Sequence, residues 1–356
     1  MNVEEKLLWY FLVEKNSKPA KFLICKRIPI ELNSLEIKNL KEKELWHLHE
    51  KYSKEFRKIL KEIKENSLDF EKLTEQENSF FDLKIELSKR MLNSCKMCER
   101  KCLVNRFKEK GFCNIDEKTF ISSYFLHLGE EPPLIPSGTI FFCGCSFKCV
   151  YCQNWKISQF PKNGFLVDAK KLSSIERKLR EDGAKNINFV GGNPDQHIHT
   201  IVESLKYLNI NVPILWNSNA YASQETMEII LDLVDIWLPD FKYGNDYCAK
   251  KLSSVKKYFK TVSRNIKMMH DNGDPLIIRH LLLPNHIECC TFKVLNWISE
   301  NCENSLVNIM KQYKQDYLVL ENPRKFEEIS RRLKREEIER AYLIAKELKL
   351  DFEEVS

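Results

Sequence analysis

The feature that most constrains the fold of this chain is an alternation of short apolar runs with helical stretches, which begins near residue 135. Six runs have the length and composition of buried strands, and they occupy residues 139–143, 186–190, 212–216, 234–238, 276–283 and 305–310. Between them lie stretches with helical character, at residues 169–180, 199–208, 224–233, 247–259 and 291–300. Strands that alternate with helices form βα units around a parallel sheet. The sequence therefore predicts an α/β fold, and six units are compatible with a full or partial barrel.

The segments before and after this alternation are predicted to be mostly helical. Between residues 45 and 63 apolar residues recur every three or four positions, with Lys and Glu between them. We predict a helical N-terminal extension over residues 1–94 that serves for packing or partner docking, with a short strand at 21–30. A cysteine module would occupy residues 95–134 and the core residues 135–312. A helical tail over 313–356 would include a charged helix at 325–348.

Composition indicates the class of protein and its compartment. The 13 cysteines among 356 residues are too sparse for a disulfide scaffold. Residues 1–10 carry Glu4, Glu5 and Lys6 where a signal peptide would be apolar, and no apolar run reaches the roughly 18 residues of a membrane-spanning helix. We expect a reduced, cytoplasmic protein, not a membrane protein, whose thiols bind metal or react.

The charge pattern argues against a nucleic-acid partner. The formal charge of +6 comes from 57 basic and 51 acidic residues, and Lys and Glu are interspersed along the chain. Proteins that bind nucleic acid usually concentrate their basic residues on one face or in one block. Nucleic acid is therefore not an expected partner.

Three cysteines directly follow the first predicted strand. Cys145, Cys149 and Cys152 have the spacing C-x3-C-x2-C, and three thiolates on one loop can converge on one iron–sulfur cluster. A [4Fe–4S] cluster normally takes four thiolates, so with three of them one iron keeps an open position where another molecule can bind. The alternative is a structural metal site with a fourth ligand elsewhere, for which Cys143 is the obvious candidate.

A second set of cysteines, Cys95, Cys98, Cys102 and Cys113, supplies four soft ligands within 19 residues. Four thiolates suit zinc and an iron–sulfur cluster equally well, and the spacing does not separate the two. An iron–sulfur cluster here could relay electrons to the first cluster, whereas a zinc ion would have a purely structural role. Reactive or disulfide-forming cysteines are the third alternative. The other thiols are predicted to be buried and inert, and they are Cys25, Cys143, Cys248, Cys289, Cys290 and Cys302.

The motif C-x3-C-x-aromatic-C after the first strand, with Tyr151 as its aromatic residue, resembles the signature of the radical S-adenosylmethionine (SAM) enzymes. Further segments resemble the branch related to pyruvate formate-lyase-activating enzyme, in particular PflX-like proteins with an extra N-terminal cysteine motif. They are the cysteine run from Cys95, residues 129–133, 152–154, 238–243 and 278–281. The resemblance covers about residues 95–350, and it implies a partial (β/α)6 TIM-like barrel.

The resemblance also implies roles for individual residues. Cys145, Cys149 and Cys152 would hold a [4Fe–4S] cluster whose fourth iron is chelated by SAM. The expected SAM contacts lie at strand ends, and they are Tyr151 near the adenine, Gly191, Gly192 and Asn193 near the methionine amino group, Asn217 and Ser218 near the ribose and methionine, Asp240 with Lys242 at the carboxylate, and Arg279. Asn193 stands where the family usually has Glu.

The implied activity is reductive cleavage of SAM to a 5′-deoxyadenosyl radical, which abstracts a hydrogen atom from a substrate. That substrate is an unidentified protein or small molecule, and a protein glycine is one candidate. The expected electron donor is of the flavodoxin or ferredoxin type. The alternative function is a non-catalytic iron–sulfur or zinc protein that carries electrons or docks a partner.

Overall fold

The computed structural model describes residues 2–356. Its strands are β1 (Thr119–His127), β2 (Ser137–Phe142), β3 (Phe165–Val167), β4 (Asn186–Gly191), β5 (Ile214–Ser218), β6 (Ile236–Pro239), β7 (Ile277–Leu281) and β8 (Leu306–Met310). Its helices are α1 (Val3–Lys6), α2 (Leu8–Glu14), α3 (Lys21–Cys25), α4 (Ser34–Asn39), α5 (Glu42–Lys64), α6 (Phe80–Arg90), α7 (Trp155–Ser158), α8 (Ala169–Glu181), α9 (Ile198–Tyr207), α10 (Gln224–Ile230), α11 (Asp246–Ser253), α12 (Tyr258–Asp271), α13 (Phe292–Asn301), α14 (Leu318–Glu321) and α15 (Arg335–Glu347).

Six parallel strands form the centre of the fold. β2, β4, β5 and β6 pair in parallel in that order, and β7 pairs in parallel with β8. Parallel bridges from Trp237 to Leu276 and from Asp240 to Arg279 join β6 to β7. β5 and β6 are buried along their whole length, as expected of parallel strands covered on both faces. This arrangement confirms the predicted α/β fold with six βα units.

Two further strands extend the sheet in the antiparallel direction, and the sequence did not predict them. β1 pairs antiparallel with β2, and β3 pairs antiparallel with β1. Most of β1 is only half-buried, with polar residues at Ser122 and Ser123. An antiparallel strand with one partly solvated face lacks the continuous apolar run by which the six parallel strands were recognised.

Two local predictions were wrong. Residues 21–25 form helix α3 and not a strand, because tertiary contacts fix this segment: the side chain of Lys21 is fully buried, with its ammonium 2.5 Å from a carboxylate oxygen of Asp274. The single helix predicted over 247–259 is two helices, α11 and α12. Ser254 and Lys257 between them have left-handed backbones, with φ of 55° and 51°, which interrupts the helix.

The N-terminal helices pack against the barrel through buried polar contacts. Lys84 of α6 lies 2.9 Å from Asp232, which follows α10, and the indole of Trp9 in α2 donates to Asp235 at 2.9 Å. These contacts fix the helices on the outside of the parallel strands, away from the carboxyl ends of β4, β5 and β6. Within residues 2–356 we find no helix with the length and apolar character needed to cross a membrane.

Candidate functional site

A cavity of about 230 Å³ lies at the carboxyl ends of the parallel strands. The carboxyl ends of strands in barrels and open α/β sheets carry the ligand sites of such folds. Loops after β2, β4, β5 and β6 and residues at the ends of β7 and β8 line the cavity. Its lining includes Cys145, Cys149, Tyr151, Cys152, Gly191, Gly192, Asn193, Asn217, Ser218, Asn219, Asp240, Lys242, Leu281, Met310, Gln312 and Tyr313.

The three cysteines of the loop after β2 all line this cavity. Cys145 and Cys149 are buried and Cys152 is half-buried. Burial raises the pKa of the Cys149 thiol to about 12, with the neighbouring Cys152 adding to the effect, and burial also raises the pKa of Cys152. As free thiols these groups would therefore be neutral at pH 7, and a metal is needed to hold them as thiolates.

Each of these sulfur atoms has a hydrogen-bonding neighbour. The backbone N–H of Phe147 lies 3.3 Å from Cys145 Sγ, and Asn219 Nδ2 lies 3.6 Å from the same atom. Ser158 Oγ lies 3.3 Å from Cys152 Sγ. Donors around sulfur stabilise the charged form of the sulfur and tune iron–sulfur centres.

A chain of three hydroxyl groups leads to the third sulfur. Tyr151 Oη is 2.6 Å from Tyr243 Oη, Tyr243 Oη is 2.5 Å from Ser253 Oγ, and Ser253 Oγ donates to Cys149 Sγ at 2.9 Å. Each hydroxyl has one proton. If Ser253 donates to sulfur, Tyr243 must donate to Ser253 and Tyr151 to Tyr243, so all three protons point toward Cys149. Sequence reasoning missed Ser253, which is 104 residues from Cys149 and lies at the end of α11.

Asp240 and Lys242 form an ion pair at the mouth of β6. Lys242 Nζ is 2.6 Å from Asp240 Oδ2, and the side chains are 17% and 21% exposed. Burial alone would lower the pKa of Lys242, but the charge of Asp240 and the hydrogen bond to it keep that pKa above its ordinary value. The cavity therefore presents a fixed positive charge and a carboxylate side by side.

Two glycines, the last residue of β4 and the residue after it, allow the chain to lie against β2 and the cysteine loop. Gly191 has φ of +112°, and a Cβ there would be 2.3 Å from the backbone of Phe142. A Cβ on Gly192 would be 2.1 Å from the carbonyl oxygen of Gly144. The N–H of Gly192 also donates to Phe142 O at 2.7 Å. The close approach that requires glycine here is between two protein segments.

Replacing Gly192 with alanine is expected to lower the free energy of unfolding by about 3 kcal/mol, since the new methyl group overlaps backbone atoms that cannot rotate away. Gly273→Ala is the matched control: its φ is +71° and nothing lies within 4 Å of the added carbon, so left-handed strain of about 1 kcal/mol is the whole cost. Urea denaturation of both variants measures the difference. Equal destabilisation would contradict the packing argument.

The asparagines after β4 and β5 hold the neighbouring loops together. Asn193 Oδ1 accepts the backbone N–H of Asn219 at 3.0 Å, and Ser218 Oγ accepts that of Ala220 at 3.1 Å. Asn217 Nδ2 is buried against the cavity and has no hydrogen-bond partner among the described residues. An orphaned buried donor is costly unless a ligand satisfies it, so Asn217 marks a place for an acceptor atom.

Arg279 is the one predicted SAM contact that does not line the cavity. Its guanidinium binds Glu131 through two hydrogen bonds, of 2.7 and 2.8 Å, and also pairs with Glu130. Arg279 Nη1 approaches Asn217 Oδ1 at 3.4 Å, and Asn308 Nδ2 donates to Glu131 at 2.7 Å. The Arg279 side chain is thus held by two carboxylates outside the cavity lining, and its one hydrogen bond to a lining residue goes to Asn217.

Cys143 also lies outside the cavity lining. It is fully buried, and its Sγ lies 2.5 Å from where a Cβ on Gly164 would be, against the turn before β3. Burial alone raises the pKa of its thiol to about 12, with no contribution from the other cysteines. This position does not favour Cys143 as the fourth ligand of the loop.

The second set of cysteines gathers in the irregular segment between α6 and β1. The carbonyl oxygen of Cys95 accepts the backbone N–H of Leu103 at 3.0 Å, and that of Cys98 accepts the N–H of Lys101 at 3.0 Å. The sulfur atoms of Cys102 and Cys113 lie 3.3 and 3.5 Å from a Cβ built on Gly111. Three of the four are buried and Cys102 is half-buried. The fold therefore brings the four thiols into one region.

This second region packs directly against the cavity's cysteine loop. Arg100 Nε donates to Ser146 O at 2.5 Å, and the carbonyl oxygen of Cys113 lies 3.1 Å from a Cβ built on Gly144. Lys148 is close enough to both loops that Cys145 and Cys113 raise its pKa, although burial makes the net shift downward. The two cysteine groups are therefore neighbours in the structure.

Comparison with known proteins gives a family and a close relative. A sequence model described as "Radical SAM superfamily" matches residues 139–298. The uncharacterized protein MJ0674 of Methanocaldococcus jannaschii is 44% identical over 352 residues, which is 97% of this chain and 98% of that protein. The uncharacterized protein MJ0808 of the same organism is 24% identical over 213 residues, or 54% and 61% of the two chains.

The solved structures that match this chain are more distant. Streptococcus suis SuiB bound to its precursor peptide SuiA is 17% identical, with a TM-score of 0.39, and the match covers 58% of this chain and 46% of SuiB. TYW1 with a lysine-pyruvate adduct is 13% identical, with a TM-score of 0.37 and coverage of 61% and 74%. The family match identifies residues 139–298, which span the βα units from β2 to α13, as the radical SAM domain of an enzyme.

Proposed function

We propose that this enzyme binds a [4Fe–4S] cluster through Cys145, Cys149 and Cys152, and binds SAM in the adjoining cavity for reductive cleavage. The superfamily implies both cofactors, as well as a reductant and a substrate. The observation that carries the proposal is that all three thiols and eight of the nine predicted SAM residues line one cavity at the carboxyl ends of the strands.

The spacing of the three sulfur atoms supports a cluster over a single metal ion. A tetrahedral zinc with Zn–S bonds of about 2.3 Å holds its sulfur ligands about 3.8 Å apart. Among residues 2–356, the one group of three metal-binding side chains whose ligand atoms all lie within 4.8 Å does not include this triad. At least one pair of these sulfur atoms is therefore more than 4.8 Å apart, which suits ligands that bind different irons of a cube.

The groups around the cavity suit SAM. Lys242 can pair with its carboxylate and Asp240 can accept from its amino group, so the ion pair would be shared with a zwitterionic ligand. The unpartnered Asn217 Nδ2 supplies a donor for an oxygen atom of the ribose or carboxylate. Tyr151 and Tyr313, with ring centroids 5.9 Å apart, offer aromatic surface for the adenine.

When bound, the reduced cluster and SAM supply a 5′-deoxyadenosyl radical, which takes a hydrogen atom from the substrate. The chain's own residues orient SAM through Lys242 and Asp240 and keep water away from the reacting carbon. No side chain is required to transfer a proton in this step. The hydroxyl chain from Tyr151 to Ser253 instead fixes the charge environment of Cys149.

The substrate and the electron donor are proposed from the resemblance to the activating-enzyme branch. It supports a protein glycine as one substrate hypothesis, a small molecule being the other, and a flavodoxin or ferredoxin as reductant. The abstracted atom ends in 5′-deoxyadenosine. Deuterium transferred from a labelled candidate to 5′-deoxyadenosine therefore identifies a substrate, and its absence rejects that candidate.

For Cys95, Cys98, Cys102 and Cys113 we propose a second iron–sulfur cluster that relays electrons. No three of these sulfurs fall within 4.8 Å of one another among the described residues, whereas one zinc would bring all four to about 3.8 Å. Iron analysis of the triple Cys145→Ala, Cys149→Ala, Cys152→Ala variant is the test. We expect about four irons per chain; absence of iron would leave zinc or reactive thiols.

The test of the main proposal is SAM cleavage. The chain is reconstituted with iron and sulfide without oxygen, reduced with dithionite and given SAM, and 5′-deoxyadenosine is measured by liquid chromatography. We expect formation that depends on both dithionite and the cluster. If a preparation with a full complement of iron yields none, the chain is not a SAM-cleaving enzyme.

Ser253→Ala is expected to lower the reduction potential of the proposed cluster by about 40 mV. A hydrogen bond to Cys149 favours the more negative, reduced state, and about 1 kcal/mol lost from it corresponds to about 40 mV for one electron. Redox titration followed by electron paramagnetic resonance measures the shift. Ser305→Ala is the matched control, since Ser305 is a buried serine that donates to Cys302 O. An unchanged potential in Ser253→Ala would refute the role of this hydroxyl.

A further inference from the structure

We propose that Cys248, His286 and Cys289 bind a structural zinc ion, and that the Cys290 side chain turns toward the ion to become the fourth ligand. Sequence reasoning had set these thiols aside as inert. In the structure, the ligand atoms of Cys248, His286 and Cys289 all lie within 4.8 Å of one another, the one such group in residues 2–356. Cys248 and His286 are buried and Cys289 is half-buried.

The distances between the sulfur atoms match a single tetrahedral ion. Cys248 Sγ is 4.0 Å from Cys289 Sγ, and Cys289 Sγ is 3.9 Å from Cys290 Sγ. Sulfur ligands of one zinc lie about 3.8 Å apart, so both of these distances are close to those of zinc ligands. A disulfide needs the sulfurs at about 2.05 Å, and all three thiols are free here. A soft set of thiolates with one imidazole is a zinc donor set.

The residues around the site hold its ligands in the orientation that a metal needs. His286 Nδ1 lies 2.7 Å from the carbonyl oxygen of Pro284, to which it donates. That hydrogen bond fixes the tautomer and leaves Nε2 unprotonated as the ligand atom, the usual arrangement behind a metal-bound histidine.

Asn245 links the two segments that supply the ligands. Its Oδ1 accepts the N–H of Cys248 at 2.8 Å at the start of α11, and its Nδ2 donates to Cys289 O at 2.9 Å. Nδ2 also lies 3.7 Å from Cys290 Sγ. The scaffold is therefore ordered by hydrogen bonds that do not use the ligand atoms of Cys248, His286 or Cys289.

The site would connect two active-site segments from outside the cavity. α11 carries Cys248 near its start and Ser253 at its end, about 7.5 Å apart along the helix axis. The other ligands follow β7, which carries Arg279. None of the four ligands lines the cavity. Zinc binding, with release of the thiol protons, would fix α11 and so hold Ser253 against Cys149.

Zinc content measures the proposal without any need for SAM cleavage. The full chain is purified from zinc-supplemented medium, and zinc per chain is determined for the wild type, Cys248→Ser and Cys302→Ser. Cys302 is a buried thiol remote from the group and serves as the matched control. We expect the wild type and Cys302→Ser to hold one more zinc per chain than Cys248→Ser. Equal zinc content in all three proteins would overturn the proposal. Zinc bound at Cys95, Cys98, Cys102 and Cys113 does not affect this comparison, because all three proteins retain those cysteines.

A second measurement covers the case in which Cys248→Ser does not fold. Anomalous diffraction from wild-type crystals at the zinc absorption edge should give a peak between Cys248 Sγ, Cys289 Sγ and His286 Nε2. No peak there, a peak at the iron edge alone, or a Cys248–Cys289 disulfide would overturn the assignment. Because neither readout involves SAM, this proposal and the proposed SAM cleavage can fail separately.

Discussion

Cys145→Ala is expected to reduce 5′-deoxyadenosine formation by at least about a thousandfold, to the level of the protein-free control. Three thiolates hold three irons of a cube and leave the fourth open, and ligands that act as a unit cannot be removed singly without losing the whole function. Cys145 is also the thiol most enclosed by donors, from Phe147 and Asn219. The variant is reconstituted and assayed for iron, for cluster absorbance and for 5′-deoxyadenosine.

The matched control for Cys145→Ala is Cys302→Ala. Both thiols are buried, with 7% and 2% exposure, and burial is the main cause that raises the pKa of each. Cys302 directly follows α13 and does not line the cavity. We expect Cys302→Ala to retain wild-type iron and activity. If Cys145→Ala kept its activity, or if both variants lost it alike, the thiol's position in the cavity would not be the cause.

The parts of the fold that could be predicted are those whose hydrophobicity differs strongly from that of the neighbouring segments. The six parallel strands are short apolar runs buried on both faces, so each stands out from its charged helices. β1 has no such contrast, because one of its faces is half-exposed. Helix α3 was missed for a different reason: its conformation is set by the buried contact of Lys21 with Asp274, 253 residues away.

The same distinction applies to the site. Residues at strand ends could be predicted to meet because parallel topology brings carboxyl ends to one edge, and this accounts for Gly191, Asn217 and Asp240. Ser253 and the group of Cys248, His286 and Cys289 come from a helix and from the segment after β7. Their convergence depends on how these segments pack, which no local pattern in the sequence encodes. The spacing of cysteines along the sequence identified the ligands that share one loop. It missed the ligands that come from separate segments and meet only in the folded chain.

Glu131→Gln is expected to lower the free energy of unfolding by about 3 kcal/mol at pH 7. The side chain of Glu131 is fully buried and binds Arg279 through two hydrogen bonds. Removing one partner of a buried ion pair typically costs 3–5 kcal/mol. The low end applies here because Glu130 still neutralises the guanidinium. Denaturation in urea gives the value, and Glu339→Gln in the exposed pair with Arg335 should change it by less than about 0.5 kcal/mol.

The effect of Glu131→Gln should depend on pH in one direction. Burial alone would raise the pKa of Glu131, but the Arg279 charge and the Asn308 amide hold that pKa below its ordinary value of 4.5. A carboxyl group with a lowered pKa stabilises the fold above its unfolded-state pKa and loses that contribution as the pH falls through its folded-state pKa. The stability difference between wild type and variant should therefore be full at pH 7 and shrink below about pH 4. A difference that stayed constant to pH 3 would show that Glu131 acts through shape and not charge.

Arg279→Met separates charge compensation from packing in the same network. It leaves two carboxylates, Glu130 and Glu131, buried without their cation, with side chains 6% and 0% exposed. Glu131→Gln leaves one pair intact. Since an uncompensated buried charge costs more than a lost hydrogen bond, Arg279→Met should be the more destabilising of the two at pH 7. The reverse order would mean that Arg279 is held mainly for a ligand, because its carboxylate partners would not need it for stability.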